Sequence, residues 1–245
     1  RVFASSFLFP AEKQKDAISL EAVDRAQKEI PIPFDRAVVT VSPGARIDRE
    51  RRITAYAIER EVFDGLRQVF DPAHFGITAM EANSKALLRL FQRYGRRDLQ
   101  ERDSRALIGL VDIGHKWATI SLYLPDGSNL FSRTLSYQGA RERTSNSPKL
   151  TQETVDFIHT TISEVMVYFK EKQMKISKFI FAGVEAEDER FKKGASFYEL
   201  GDVVTMGETK KRAVHTYGAA IGAAMRSVHP YQYSSQHNFI HSQKG

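Results

Sequence analysis

Three apolar runs follow one another closely in the middle of the chain, and they restrict the fold more than any other feature. They occupy residues 106–113, 117–124 and 130–136, and each has the length and composition of a β-strand. Pro125-Asp126-Gly127-Ser128 separates the second run from the third, and Asp-Gly between apolar runs is a strong hairpin signal. The sequence therefore predicts three successive antiparallel strands.

On both sides of this region, predicted strands are followed by predicted helices, which is typical of an α/β architecture. Periodicity predicts strands at 2–9, 37–41, 52–58, 74–80, 178–182 and 203–206, a turn at 42–44, and helices at 11–29, 61–70, 83–94, 151–172 and 213–225. The charged stretch 96–105 has the composition of a linker. We predict two similarly built lobes, 1–100 and 101–228, followed by a tail at 229–245.

Composition excludes several classes of protein. Hydrophobic residues make up 42% of the 245 positions and the formal net charge is only +6, so the chain can bury a sizeable core. The absence of cysteine excludes thiol nucleophiles, zinc-cysteine clusters and disulfides. Basic and acidic residues are interspersed, so we expect no nucleic-acid partner. No apolar run approaches the roughly 20 residues of a membrane-spanning helix, so we expect membrane association through partners only.

The segment Leu110-Val111-Asp112-Ile113-Gly114, followed by a second strand, is the most informative for chemistry. An apolar strand delivers one carboxylate to its end, and we expect the glycine to allow a tight turn. Amide groups of such a turn can point at a phosphate, and the carboxylate can hold a hydrated divalent cation. The alternative is that Asp-Ile-Gly forms a tight hairpin with no ligand.

This strand-Asp-Ile-Gly-strand unit resembles the phosphate hairpins of the actin, sugar kinase and Hsp70 ATPase superfamily. The order of further segments narrows the resemblance to the FtsA-like PilM family of pilus assembly proteins, with the cytoplasmic region of the type II secretion protein GspL as a close second. Those segments are Lys28-Glu29-Ile30-Pro31-Ile32-Pro33-Phe34, Tyr56-Ala57-Ile58-Glu59-Arg60-Glu61-Val62-Phe63 and Gly76-Ile77-Thr78-Ala79-Met80-Glu81. The resemblance covers residues 1–227.

The resemblance implies an actin-like (ribonuclease H-like) two-lobe ATPase fold that binds ATP and Mg²⁺. It also implies a cytoplasmic location at the inner membrane face, where the protein docks the short cytoplasmic tail of a bitopic pilus or secretion protein. Asp112, Ile113 and Gly114 match the second phosphate hairpin, with Asp112 as the metal-binding residue. Gly183 matches the glycine-rich loop beside the nucleotide, and residues 217–222 match a helix of small residues that packs closely.

The chain departs from the family pattern at several points. The first phosphate hairpin, expected upstream of the first helices, is not in the printed sequence, and the second-lobe insertion between 138 and 149 is short. His115, Lys116 and Trp117 replace small residues; we expect Lys116 to assist phosphate binding and Trp117 to pack. Four carboxylates, at 185 and 187–189, follow Gly183 and would repel a triphosphate. These departures predict weak or lost ATP binding.

No catalytic residue is predicted. Ser121 and Ser136 have no marked base, and His215, His229, His237 and His241 lack metal-ligand spacing. The expected partner surface lies around 53–70, and exposure of Phe34 would favour a docking role. The alternative function is an ATP-dependent phosphotransferase or ATPase of the same superfamily, which requires a carboxylate poised over the γ-phosphate.

Overall fold

The computed structural model describes residues 2–47, 49–70, 81–96, 106–137, 141–142, 149–191, 197–204 and 211–228. Its contacts divide these residues into two compact units. The first unit takes the residues up to Ala82, together with Asp126–Ser132 and Val228. The second unit takes Asn83–Pro125 and Arg133–Ser227.

The first unit is a three-stranded antiparallel sheet with a helix on each face. Its elements are β1 (Val2–Pro10), α1 (Lys15–Glu29), β2 (Ala37–Ile47), β3 (Glu50–Glu59) and α2 (Arg60–Phe70), and the strand order is β1-β3-β2. The predicted turn at 42–44 is wrong: β2 continues past Pro43 with a register shift before Arg46. Pro43 is tolerated there because β2 is an edge strand, where a missing amide donor breaks no sheet interior.

Alternation along β3 sends successive side chains to opposite faces of this sheet. Ala55 and Ala57 join Ile18, Ala22 and other apolar residues of α1 in one hydrophobic cluster. Tyr56 and Ile58 join Phe63 of α2 in a second cluster. The helices α1 and α2 therefore cover different faces of the same sheet.

The second unit is built around a five-stranded sheet of order β10-β9-β4-β5-β6. Strand β4 pairs antiparallel with β5 and parallel with β9, and β9 pairs parallel with β10. Its strands are β4 (Ala106–Ile113), β5 (Trp117–Tyr123), β6 (Asn129–Ser136), β7 (Arg141–Glu142), β8 (Lys149–Leu150), β9 (Lys175–Ala182) and β10 (Phe197–Glu199). Its helices are α3 (Asn83–Tyr94), α4 (Gln152–Glu171), α5 (Leu200–Val203) and α6 (Lys211–Val228).

Helices α3 and α6 pack at close range in the second unit, as the small-residue pattern predicts. A methyl group on Gly222 would lie 2.0 Å from Ala86 O, and one on Gly218 would lie 3.0 Å from Leu87 Cδ2. Arg89 of α3 is only 1% exposed, and its Nη1 donates to Gly222 O at 2.6 Å. Buried arginine is rare without such a partner.

Several predictions differ from the structure or lie outside its described residues. Helix α3 groups with the second unit because Leu87, Leu90 and Phe91 join the cluster around β4 and β9, whereas the sequence predicts a lobe boundary near residue 100. The segment predicted as a strand at 203–206 begins as the end of α5. The predicted strand at 74–80, the tail at 229–245 and nearly all of the linker and the reduced insertion lie outside the described residues.

Candidate functional site

Asp112 lies near the end of β4, in the middle of the second sheet. It is opposite Thr119 on β5 and Ala182 on β9. Burial raises the pKa of the Asp112 carboxyl, and a hydrogen bond from Asn83 Nδ2 to Oδ2 at 3.5 Å partly opposes this shift. A desolvated carboxylate of this kind gains most from a nearby cation.

Gly183 approaches the Ile113 backbone and the Asp112 carboxylate so closely that only glycine fits. Its φ is +98°, a value that side chains rarely tolerate. A methyl group on its Cα would lie 2.4 Å from Ile113 O and 2.7 Å from Asp112 Oδ1. The parallel pairing of β4 with β9 thus brings together two candidate residues that are 71 positions apart in sequence.

Gly114 closes the β4–β5 hairpin without needing glycine's conformational freedom. Its N–H donates to Trp117 O at 2.9 Å, and its carbonyl accepts from Tyr137 Oη at 2.5 Å. Among described residues, the glycines with positive φ are Gly127 and Gly183. The expectation that Gly114 provides the tight turn through backbone freedom is therefore wrong, and its amide is already engaged within the hairpin.

The hairpin tip presents its side chains to solvent. Lys116 is exposed, which leaves its ammonium group accessible to an anion. Trp117 is 55% exposed, so the expectation that it packs is wrong. The Trp117 ring lies beside Gly114 at the surface of the hairpin.

Glu185 and Asp188, which follow Gly183, have an imidazole and a guanidinium partner. Glu185 Oε1 lies 2.5 Å from His115 Nδ1, which joins this loop to the hairpin. Asp188 accepts from Arg190 Nε and Nη2 at 2.9 and 2.6 Å, and Arg190 Nη2 also donates to Leu150 O. The sequence analysis missed both pairs; the Asp-x-Arg spacing is a local signal for the second, whereas the first joins residues 70 positions apart.

Two of the described residues have side chains of the types that bind a magnesium phosphate. Asp112 supplies one desolvated carboxylate and Lys116 supplies an exposed cation, whereas the space beside Gly183 is filled by atoms of Ile113 and Asp112. Mg²⁺ commonly takes only one or two protein carboxylates and keeps several waters. Within the described part of the chain, no group of three or more His, Cys, Asp or Glu side chains is arranged to hold a metal.

A separate candidate surface lies on α2 in the first unit. Phe63 is buried in the sheet, but its apolar neighbours along the helix are exposed. We call these exposed side chains the α2 stripe: Val62, Leu66, Val69 and Phe70. Their spacing places them on one side of the helix. Phe34, in the short 3-10 turn before β2, is also 45% exposed.

Comparison of the whole fold with solved structures identifies its type. A chain of the structure titled "PilM-PilN type IV pilus biogenesis complex" superposes with a TM-score of 0.64, covering 93% of this chain and 76% of that one at 17% identity. The chain has the PilM-type, actin-like fold. The fold class and the resemblance that the sequence predicted are thereby confirmed, whereas closeness to GspL stays a prediction.

Two further matches to this actin-like fold are weaker, each with a TM-score of 0.40, and no argument rests on them. One is a Bacteroides thetaiotaomicron protein with an actin-like ATPase fold, 9% identical, covering 88% of this chain and 69% of that one. The other is an archaeal actin homolog, 10% identical, covering 60% and 56%. No protein-family model and no curated protein sequence matches the chain.

Among the described residues, none of the helices combines the length and the hydrophobicity that a membrane-spanning helix requires.

Proposed function

We propose that this chain is an actin-like scaffold of a type IV pilus or type II secretion inner-membrane platform. In this role it stays in the cytoplasm, reaches the inner membrane through its partners, and docks the short cytoplasmic tail of a bitopic membrane protein. The likeness to a chain of the PilM-PilN complex supports this assignment. The observation that carries it is the exposed α2 stripe, because a surface built for docking needs accessible apolar anchors.

The α2 stripe offers the exposed apolar side chains that docking of a peptide requires. Val69 is 68% exposed and the other three members between 39% and 42%, although burial of a Val, Leu or Phe side chain stabilises by about 1.5–3 kcal/mol. Phe63 is the buried residue of this helix in the described structure, and it anchors the helix to the sheet. A tail that inserts two or three apolar side chains would cover this unused area without displacing the sheet.

Binding of candidate tails tests this docking role directly. Synthetic N-terminal tails of pilus and secretion inner-membrane proteins are titrated into the chain by calorimetry, and then into the double variant Leu66→Ser/Val69→Ser. We expect at least one tail to bind and the double variant to bind it about tenfold or more weakly, because two apolar anchors are lost. The free energy of unfolding should stay nearly unchanged, since both side chains are exposed.

Leu20→Ser is the matched control. Leu20 is 71% exposed on α1, which covers a different face of the first sheet, so this variant should bind the same tail with unchanged affinity. Equal weakening by both substitutions would assign the effect to general hydrophobicity. Binding that survives the α2 variant would move the docking surface elsewhere, and failure of every tail would remove the scaffold role.

We further propose that Mg·ATP binding is weak or lost. Asp112 would hold the metal and Lys116 a phosphate, beside the Gly183 backbone. The bound Mg²⁺ would supply the positive counter-charge that the desolvated carboxylate needs nearby. Two features oppose tight binding of the nucleotide. The Gly114 amide already donates a hydrogen bond to Trp117 O, and the His115 side chain is already hydrogen-bonded to Glu185.

Calorimetry with Mg·ATP should give weak heat that Asp112→Asn abolishes. Tight binding, or weak binding that Asp112→Asn leaves intact, would contradict this site.

A further inference from the structure

A basic, apolar groove lies where α4 turns into β9, in the second unit. It has a volume of about 500 Å³ and is lined by Met166, Val167, Lys170, Gln173, Met174, Lys175 and Ile176. Seven steps along β9 separate Lys175 from Ala182, which is opposite Asp112, so the groove is about 20 Å from that carboxylate. It therefore belongs neither to the phosphate hairpin nor to the α2 stripe.

The apolar side chains of this groove are accessible to a partner. Met166 is 43% and Val167 58% exposed, although both lie on a helix whose other face contributes Val165 and Phe169 to the core. Neighbouring large apolar side chains left open on one side of a helix are the usual mark of an interaction surface.

The charges around the groove have one predominant sign. Residues 170–175 contain three lysines and one glutamate. Lys170 and Lys175 line the groove, and Lys172 lies 4.4 Å above the centre of the Tyr168 ring. A cationic rim around an apolar floor is complementary to an acidic segment with apolar side chains, and disfavours a basic one.

The backbone at the groove is held in an uncommon conformation. Gln173 has a φ of 57° and is the non-glycine residue with positive φ among those described. Its N–H donates to Lys170 O, and the N–H of Met174 donates to Phe169 O, which together form a Schellman turn at the end of α4. Glycine is the usual residue at this position. Gln173 instead places a long polar side chain at this strained position, and that side chain lines the groove.

We infer that this groove binds an acidic peptide segment with interspersed apolar residues, supplied by a protein partner other than the tail proposed for α2. Carboxylates of the segment pair with Lys170 and Lys175 at the rim, and its apolar side chains fill the space between Met166, Val167 and Ile176. A concave site of this volume accepts individual side chains, which favours a peptide over the flat surface of a membrane.

The test selects a displayed library of random 16-residue peptides on the full chain, with counter-selection on the variant Lys170→Glu/Lys175→Glu. Enriched peptides are then synthesised, and their affinities are measured by fluorescence anisotropy. We expect them to combine Asp or Glu with apolar residues, and to bind the double variant about tenfold or more weakly. Val167→Asp should weaken them to a similar extent.

Two controls separate this site from other effects. Lys28→Glu, a charge reversal at an exposed position of α1, should leave the peptide affinities unchanged. Gln173→Gly keeps the turn and removes only the side chain, so it should weaken binding without loss of thermal stability.

Three outcomes would overturn the inference. The first is a selection that enriches no peptide over the double variant. The second is enrichment of basic peptides. The third is lysine-dependent binding of the chain to vesicles of anionic phosphatidylglycerol in place of peptides, which would assign the surface to a membrane. Because the readout does not involve α2, its failure and failure of the proposed tail docking are distinguishable.

Discussion

Gly183 shows how much a single backbone position contributes to the candidate site. Its φ of +98° and the 2.4 Å between a hypothetical Cβ and Ile113 O leave no room for a side chain. We expect Gly183→Ala to lower the free energy of unfolding by about 2–4 kcal/mol, because the backbone of β4 must move to relieve the overlap. Urea unfolding measures this change.

Gly114→Ala is the control for that prediction. A methyl group there would lie 3.4 Å from Trp117 O, which is an ordinary contact. Its free energy of unfolding should stay within about 0.5 kcal/mol of the parent. Similar losses in both variants would mean that the hairpin tolerates no added carbon at either glycine, and that the special geometry at 183 is not the cause.

The raised pKa of Asp112 predicts a pH dependence of stability. Burial is the main cause of the shift, so the folded protein holds this proton more tightly than the unfolded chain does. The resulting stabilisation is complete below the ordinary pKa of 3.8, and it is lost as the pH rises through the higher pKa of the folded state. At neutral pH the Asp112 carboxylate therefore opposes folding.

Asp112→Asn should consequently be more stable than the parent at pH 7, and the difference should shrink as the pH falls through the raised pKa of the folded state towards 3.8. Denaturant unfolding of both proteins with a metal chelator present measures the difference. A gap that does not change with pH would show that the substitution acts through packing or through the Asn83 hydrogen bond instead.

At the scale of elements, the contact between α3 and α6 decides the sign of a glycine substitution. Alanine normally stabilises a helix by about 0.5–1 kcal/mol relative to glycine. At Gly222 the added methyl group would lie 2.0 Å from Ala86 O. We expect Gly222→Ala to destabilise by about 1–3 kcal/mol, because overpacking outweighs helix propensity.

Gly65→Ala on α2 should show the opposite sign in the same thermal or urea measurement. No atom lies within 4 Å of a methyl group at that position, so the helix propensity acts alone and stabilises by about 0.5–1 kcal/mol. If both variants stabilise, α3 and α6 can separate without cost, and the small-residue packing would not be a source of stability.

At the scale of the whole molecule, each unit has a hydrophobic core of its own. Ile18 is 1% exposed, and its cluster contains only residues of the first unit. Ile18→Ala should cost about 2–5 kcal/mol. Native-state hydrogen exchange should then accelerate at the amides of β1, β2 and β3, while those of β4 and β9 keep their rates. Equal acceleration in both sheets would indicate that the units open together.

The sequence by itself determined most of the elements and the fold type. Apolar period and turn chemistry are local properties, so the strands 106–113, 117–124 and 130–136 and the helix 83–94 were predicted within about one residue of the observed bounds. Asp112 at the end of a buried strand was predicted for the same reason. The order of such segments was enough to indicate the PilM-type fold, which the structural likeness confirms.

Only the tertiary structure decided which of these residues meet. The approach of Gly183 to Asp112, the pairing of His115 with Glu185, and the burial of Arg89 against Gly222 depend on strand register and helix packing between distant segments. The helical spacing of Val62, Leu66 and Val69 likewise shows that they share one apolar face, but it does not show that this face is exposed. A sequence pattern shows which face of an element is apolar. Long-range contacts decide whether other elements cover that face or leave it exposed.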